Sequence, residues 1–153
     1  MTYLWADTKS SYCNELLKRI RNGSPGFVFY NRTVDLQEMR AKLQGNVRGG
    51  WFRNLEIADV STAAIFGANV SESEEWHRYE DSGTLSALVM EFTYRGGKHS
   101  VQITKNGTIT LYGNYQERDS LDLVDTINNI VNQFSEDIPV GSKKPREDSK
   151  KTE

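Results

Sequence analysis

Apolar residues recur at helical spacing between positions 8 and 22, where Tyr12, Cys13, Leu16, Leu17 and Ile20 share one face. The spacing predicts a helix that Asp7 or Thr8 caps and Gly23 stops. Gly23-Ser24-Pro25-Gly26 then predicts a turn, and Phe27-Val28-Phe29-Tyr30 a short buried strand. A second helix is expected from a Thr33 cap to about Gln44, with Leu36, Met39 and Leu43 inward and Gly45 ending it. Gly49-Gly50 predicts a break. Residues 51–60 alternate loosely as a strand, with Trp51, Leu55 and Ile57 on one parity, and 62–68 is a short apolar stretch. Residues 71–83 carry Glu72, Glu74, Glu75, Glu80 and Asp81 and are expected to form an exposed acidic loop, with Trp76 as its anchor.

The pattern sharpens over residues 84–134. Leu85 to Tyr94 is apolar on both faces, as a central strand should be. After a Gly96-Gly97 turn, His99, Val101 and Ile103 point inward, while Ser100, Gln102 and Thr104 point outward. Lys105-Asn106-Gly107 predicts a tight hairpin. Ile109 and Leu111 continue the inward face, Thr108, Thr110 and Tyr112 the outward one, and Gly113 ends the strand. Asn114 and Glu117 have capping-box spacing for a helix reaching Phe134. Its inward stripe is Leu123, Ile127, Ile130 and Phe134, with Val124 and Val131 beside it.

The expected fold is therefore α+β: a curved antiparallel sheet with a C-terminal helix packed on one face, two N-terminal helices and a disordered C-terminal tail. Residues 1–138 form a single domain, helical over 1–50 and a sheet-plus-helix unit over 51–134. Residues 139–153 are the tail, rich in Lys, Glu and Ser and lacking periodicity.

Composition narrows the function. The 153 residues suffice for one domain with a core of its own. No apolar run approaches the ~20 residues of a membrane span, so no membrane partner is expected. Met1 to Thr8 does not resemble a secretory signal, which points to the cytoplasm, or to the host cytosol if the chain is viral. Four Asn-x-Ser/Thr sequons, at Asn22, Asn31, Asn69 and Asn106, therefore carry no weight. The single Cys13 excludes an intramolecular disulfide and any multi-thiolate zinc site.

The 19 basic and 21 acidic residues give a net charge of −2. Residues 1–60 hold 9 basic and 6 acidic side chains, and residues 61–134 hold 5 and 10. Nucleic-acid contact would have to come from a local patch in the N-terminal half. Its members would be Lys18, Arg19, Arg21, Arg40, Lys42, Arg48 and Arg53. For the cluster on the first helix, complementing the helix dipole is the plainer role.

From about Phe52 to Phe134 the chain resembles one half-repeat of the TATA-binding-protein fold. The residues that carry the likeness run from Val101 through Lys105-Asn106-Gly107 to Tyr112-Gly113, followed by the helix. The resemblance implies a curved antiparallel sheet with an exposed concave face that meets DNA, and convex helices that meet proteins. It also implies that a homodimer could restore a two-half saddle by strand pairing. The sequence departs from that family in carrying one half, and in having Ile103-Thr104 where the family places a wedge phenylalanine.

Recognised catalytic signatures are absent from the sequence, and no cofactor or catalytic residue is expected. His77 with Glu74, Glu75 and Asp81 is a sparse metal set, and no metal is assigned to it. Cys13 packs as a small hydrophobe and His99 as a core or rim side chain.

Two readings of function remain. The first is a non-catalytic binding module of a nucleic-acid or transcription-related assembly. It would use the basic patch and the sheet face of Gln102, Thr104, Thr108, Thr110 and Tyr112. The second is a protein-protein adaptor or inhibitor, viral or accessory, acting through exposed Trp51, Phe52 and Trp76 and the acidic loop 71–83. A metal-dependent hydrolase built on His77 is the third and least supported option.

Overall fold

The computed structural model describes residues 10–23, 30–43 and 45–139. The expected caps Asp7 and Thr8, the 24–26 turn, Phe27 to Phe29 and the tail from 140 onward lie outside the described residues. The chain divides into two units, residues 32–137 and residues 1–31 with 138–153.

In the smaller unit the amphipathic spacing does produce a helix, α1 (Ser10–Gly23). Cys13, Leu17 and Ile20 are half-buried, whereas Tyr12 and Leu16 are exposed. Glu15 and Arg19 pair across one turn at 2.5 Å. A two-stranded sheet joins β1 (Tyr30–Val34) to β7 (Ser135–Pro139) near the ends of the larger unit.

The larger unit is an α+β layer pair. Its elements run α2 (Leu36–Lys42), β2 (Asn46–Ile57), β3 (Val60–Phe66), a 3-10 turn (Val70–Glu72), α3 (Glu74–Ser82), β4 (Thr84–Tyr94), β5 (Gly97–Thr104), β6 (Ile109–Tyr112) and α4 (Glu117–Asn132). Strands pair antiparallel in the order β3-β2-β4-β5-β6, which makes the doubly apolar β4 the central strand. The span 1–50 is thus not purely helical, since β1 and the start of β2 fall inside it.

Register separates the two faces. Leu88 lies opposite Gly50 and Ile103, Met90 opposite Val47 and Val101, and Val101 opposite Leu111. This face joins Leu36, Met39, Trp76, Leu123, Ile127 and Val131 of α2, α3 and α4 in one core cluster. In α4 the deepest stripe is Leu123, Ile127 and Val131, and Ile130 is half-buried, one step from the expected phase. Buried Asn128 is satisfied by Arg32, whose Nη1 donates to Oδ1 at 2.6 Å.

Several local expectations are corrected. Asp35, not Thr33, caps α2, its carboxylate accepting from the Glu38 amide at 2.9 Å, because Thr33 is committed to β1. Gly49-Gly50 does not break the chain but lies inside β2. A Cβ on Gly49 would run into the Phe66 ring, and one on Gly50 would come within 2.7 Å of Trp76. Phe52 is fully buried and Trp51 only half-buried, and the irregularity between Arg53 and Ile57, where Asn54 takes φ 54°, puts Leu55 on the core side with Phe52 rather than on the side of Trp51. The acidic stretch is not a loop: Ser73 caps α3 by accepting from the Trp76 amide at 3.2 Å, and Glu74 and Glu75 occupy the first turn. Asn114 caps nothing. Gln116 holds the cap position of α4 without a side-chain bond. In the hairpin after β5 only Gly107 is left-handed (φ 79°), so the turn is a bulged three-residue loop with Thr108 accepting from the Thr104 amide.

Candidate binding face

The sheet face opposite the helices is built by alternation along the strands, interrupted by the register shifts in the β2–β4 pairing. Trp51 of β2 lies across from Ala64 of β3 and Ala87 of β4, and Gly49 from Phe66 and Val89. Val89 lies across from Gln102, Ala87 from Thr104, Gln102 from Thr110 and Ser100 from Tyr112. Ala87 and Val89 are 6% and 5% exposed, yet neither belongs to the core cluster beneath the helices.

The aromatic residues on this face are far from buried. Phe66 is 58% exposed and Tyr112 47%. The Phe66 ring meets Trp51 edge-on, with centroids 4.8 Å apart at 83°, and occupies the space that Gly49 leaves open. The Tyr112 hydroxyl donates to Gln102 Oε1, which fixes the rim of β5 and β6. Thr104 Oγ1 accepts from the Thr108 amide at 3.0 Å, so Thr108 stands at the hairpin mouth rather than in the middle of the face. Glu91 and Lys98, opposite Ser100 and Thr93, neutralise each other at 3.0 Å. The result is a small aromatic and aliphatic centre edged by hydroxyls, an amide and a balanced ion pair.

Gln102, Thr104, Thr110 and Tyr112 are therefore brought together as expected, and Trp51 joins them. Phe52 and Trp76 are not exposed interaction residues. Both are completely buried, their rings packed edge-on at 4.9 Å on the helix side of β2. Phe66, Ala87 and Val89 were missed. The available signal was a short run rich in β-branched and aromatic residues over 60–66 behind an Ala58-Asp59 turn, in which Asp59 takes φ 60°.

Within residues 32–137 two of the expected basic residues are held in ion pairs. Arg40 Nη2 lies 2.8 and 3.0 Å from the two oxygens of Glu80, and its guanidinium stacks 5.9 Å from the Trp76 ring centroid. Lys42 pairs with Glu38 at 2.6 Å. Arg48 and Arg53 sit five residues apart on β2, about 16 Å along an extended strand. Lys18 and Arg19 are exposed on α1 in the other unit, and the side chain of Arg21 lies outside the described residues.

Among the described residues no three His, Cys, Asp or Glu side chains gather at a metal-holding distance. His77 Nδ1 is 4.0 Å from Glu80, which is already engaged by Arg40. His99 faces inward and is held by the Tyr115 hydroxyl at 3.0 Å and by the carbonyl of Tyr94 at 3.3 Å. A shallow cleft of about 500 Å³ lies between β1, α2 and the end of α4, with Asp35, Glu38, Lys105 and Glu136 on its wall. Asp35 is spent on its cap.

No described helix is long and apolar enough to cross a membrane. No family model matches the chain, and no curated protein and no solved structure matches it either.

Proposed function

We propose that this chain is a non-catalytic binding module that holds a segment of another protein on the open face of its five-stranded sheet. The observation that carries this reading is the Trp51–Phe66 pair. Two large rings stand on the side of the sheet away from the core, beside Val89, Ala87 and Tyr112. Aromatic anchors within a polar rim are the features that concentrate binding energy in protein interfaces. Glu91 and Lys98 on the face are paired, and the exposed Arg53 stands at its edge beside the apolar centre that supplies the attraction.

A nucleic-acid or transcription-related ligand is the second reading. It rests on the same exposed rings, which can stack on bases. The scattered basic residues of β2 and α2 give it little electrostatic support.

The test is affinity capture with the full chain and a Phe66→Ser variant, read by mass spectrometry, together with an anisotropy titration against single-stranded DNA and RNA at ~50 mM salt. The expected result is a protein retained by the unaltered chain and lost with Phe66→Ser, and no nucleic-acid binding. A partner held equally by both chains would remove the face from the interaction. Low-salt binding to either nucleic acid that Phe66→Ser abolishes would favour the second reading.

A further inference from the structure

Among the described strands, β3 is an edge of the five-stranded sheet. It pairs on one side with β2, and no other described strand lies beyond it. Its residues, Val60-Ser61-Thr62-Ala63-Ala64-Ile65-Phe66, include no charge and no proline, and its register with β2 is unbroken from Thr62 to Phe66. Natural edges are normally blunted by lysine, proline, an inward charge or a bulge, because a bare row of backbone donors and acceptors templates another strand. Here Val60 and Phe66, at the two ends, are 39% and 58% exposed.

The geometry points to a second copy of this chain as the occupant of that edge, β3 against β3, antiparallel about a twofold axis. A strand without charge meets itself without like-charge repulsion. The register centred on Ala63 sets all seven residues opposite seven. It places Phe66 of one copy across from Val60 of the other, and Thr62 across from Ala64. Both exposed apolar ends are thereby covered, which other twofold registers do not achieve. The axis runs perpendicular to the sheet, so two five-stranded sheets become one of ten strands with both open faces on the same side. A strand-on-strand contact falls below the area of standard interfaces, and the expected dissociation constant is on the order of 10–100 µM.

Sedimentation velocity on the full chain from ~5 to ~500 µM tests this, with hydrogen exchange at both ends of the range. The mass should rise toward a dimer, and the amides of residues 60–66 should gain protection as it does. A Thr62→Lys, Ala64→Lys variant sets lysine against lysine twice in this register and should weaken dimerisation about tenfold or more. A Thr62→Glu, Ala64→Lys variant sets opposite charges together and should return to within about threefold of the unaltered chain. Several outcomes overturn the proposal: a monomer at every concentration, equal behaviour of the two variants, or a dimer without added protection at 60–66. Protection of those amides only when another protein is added would assign the edge to a foreign strand instead.

Discussion

Gly49 and Gly50 are neighbours that look out on opposite sides of the sheet, and each side forbids a side chain to a different degree. At Gly50 a methyl would meet Trp76 at 2.7 Å and Leu85 at 3.2 Å. Trp76 is fully buried and locked against Phe52, so it has nowhere to go. Gly50→Ala should cost about 2–3 kcal/mol in urea unfolding. At Gly49 the nearest obstacle is the exposed Phe66 ring, which can change rotamer, with the Ile65 carbonyl oxygen behind it at 3.0 Å, and Gly49→Ala should cost about 1 kcal/mol, less than Gly50→Ala. The reverse order would mean that Phe66, not Trp76, is the fixed ring. Arg40 and Glu80 offer a parallel contrast. Their side chains are 22% and 16% exposed, and Arg40 Nε has no partner of its own. Glu80→Gln should cost about 1–2 kcal/mol, between the limits for buried and surface pairs. The exposed Glu15–Arg19 pair on α1 should lose under about 0.5 kcal/mol in Glu15→Gln. Equal losses on thermal melting would count against any burial advantage of the first pair.

At the scale of elements, β4, β5, β6 and α4 were legible because their signals agree. Alternation of period two, glycine at the turns and a 3.6-residue stripe all place Leu88, Val101, Ile103 and Leu123 on one side, where the core lies. The elements between 46 and 82 were not, for local reasons. The paired glycines of β2 look like a break until the rings that need the space are known. The left-handed Asn54 interrupts β2 between Arg53 and Ile57, so Trp51 and Leu55, on one parity in the sequence, turn to opposite faces. In 71–83 the acidic composition hid a helix whose start was written at Ser73, two glutamates and Trp76. The open face was half visible: Gln102, Thr104, Thr110 and Tyr112 came from the alternation, and Phe66 and Val89 needed the pairing of β2 with its neighbours. The Ser73 cap itself is testable. Its hydroxyl accepts from the Trp76 amide and donates to the Val70 carbonyl at 2.7 Å. Ser73→Ala should cost about 1 kcal/mol and loosen the seat of Trp76, seen as a red shift of its fluorescence. A variant as stable as the parent would show that the preceding 3-10 turn holds α3 without the cap.

At the scale of the larger unit, α2, α3 and α4 pack on one face of the sheet, and Trp51, Phe66 and Tyr112 stand on the other. Met90 and Val89 are consecutive in β4 and turn to opposite faces, so the same polar substitution samples both. Met90 is 1% exposed and packs in the cluster shared with α2, α3 and α4. Met90→Thr removes that volume and buries a hydroxyl, and should cost about 3 kcal/mol or more. Val89 is nearly as inaccessible, at 5%, but lies outside that cluster, among neighbours on the open face. There a hydroxyl can reach Gln102 or water once Phe66 shifts, and Val89→Thr should cost about 1 kcal/mol. Chemical denaturation of the two variants under one condition measures the difference. A large gap means that stability resides on the helix side, which leaves Trp51, Phe66 and Tyr112 free to serve a ligand rather than the core. Equal losses would mean that the second face is as tightly held as the first, and the proposed binding surface would then be part of the fold's own interior.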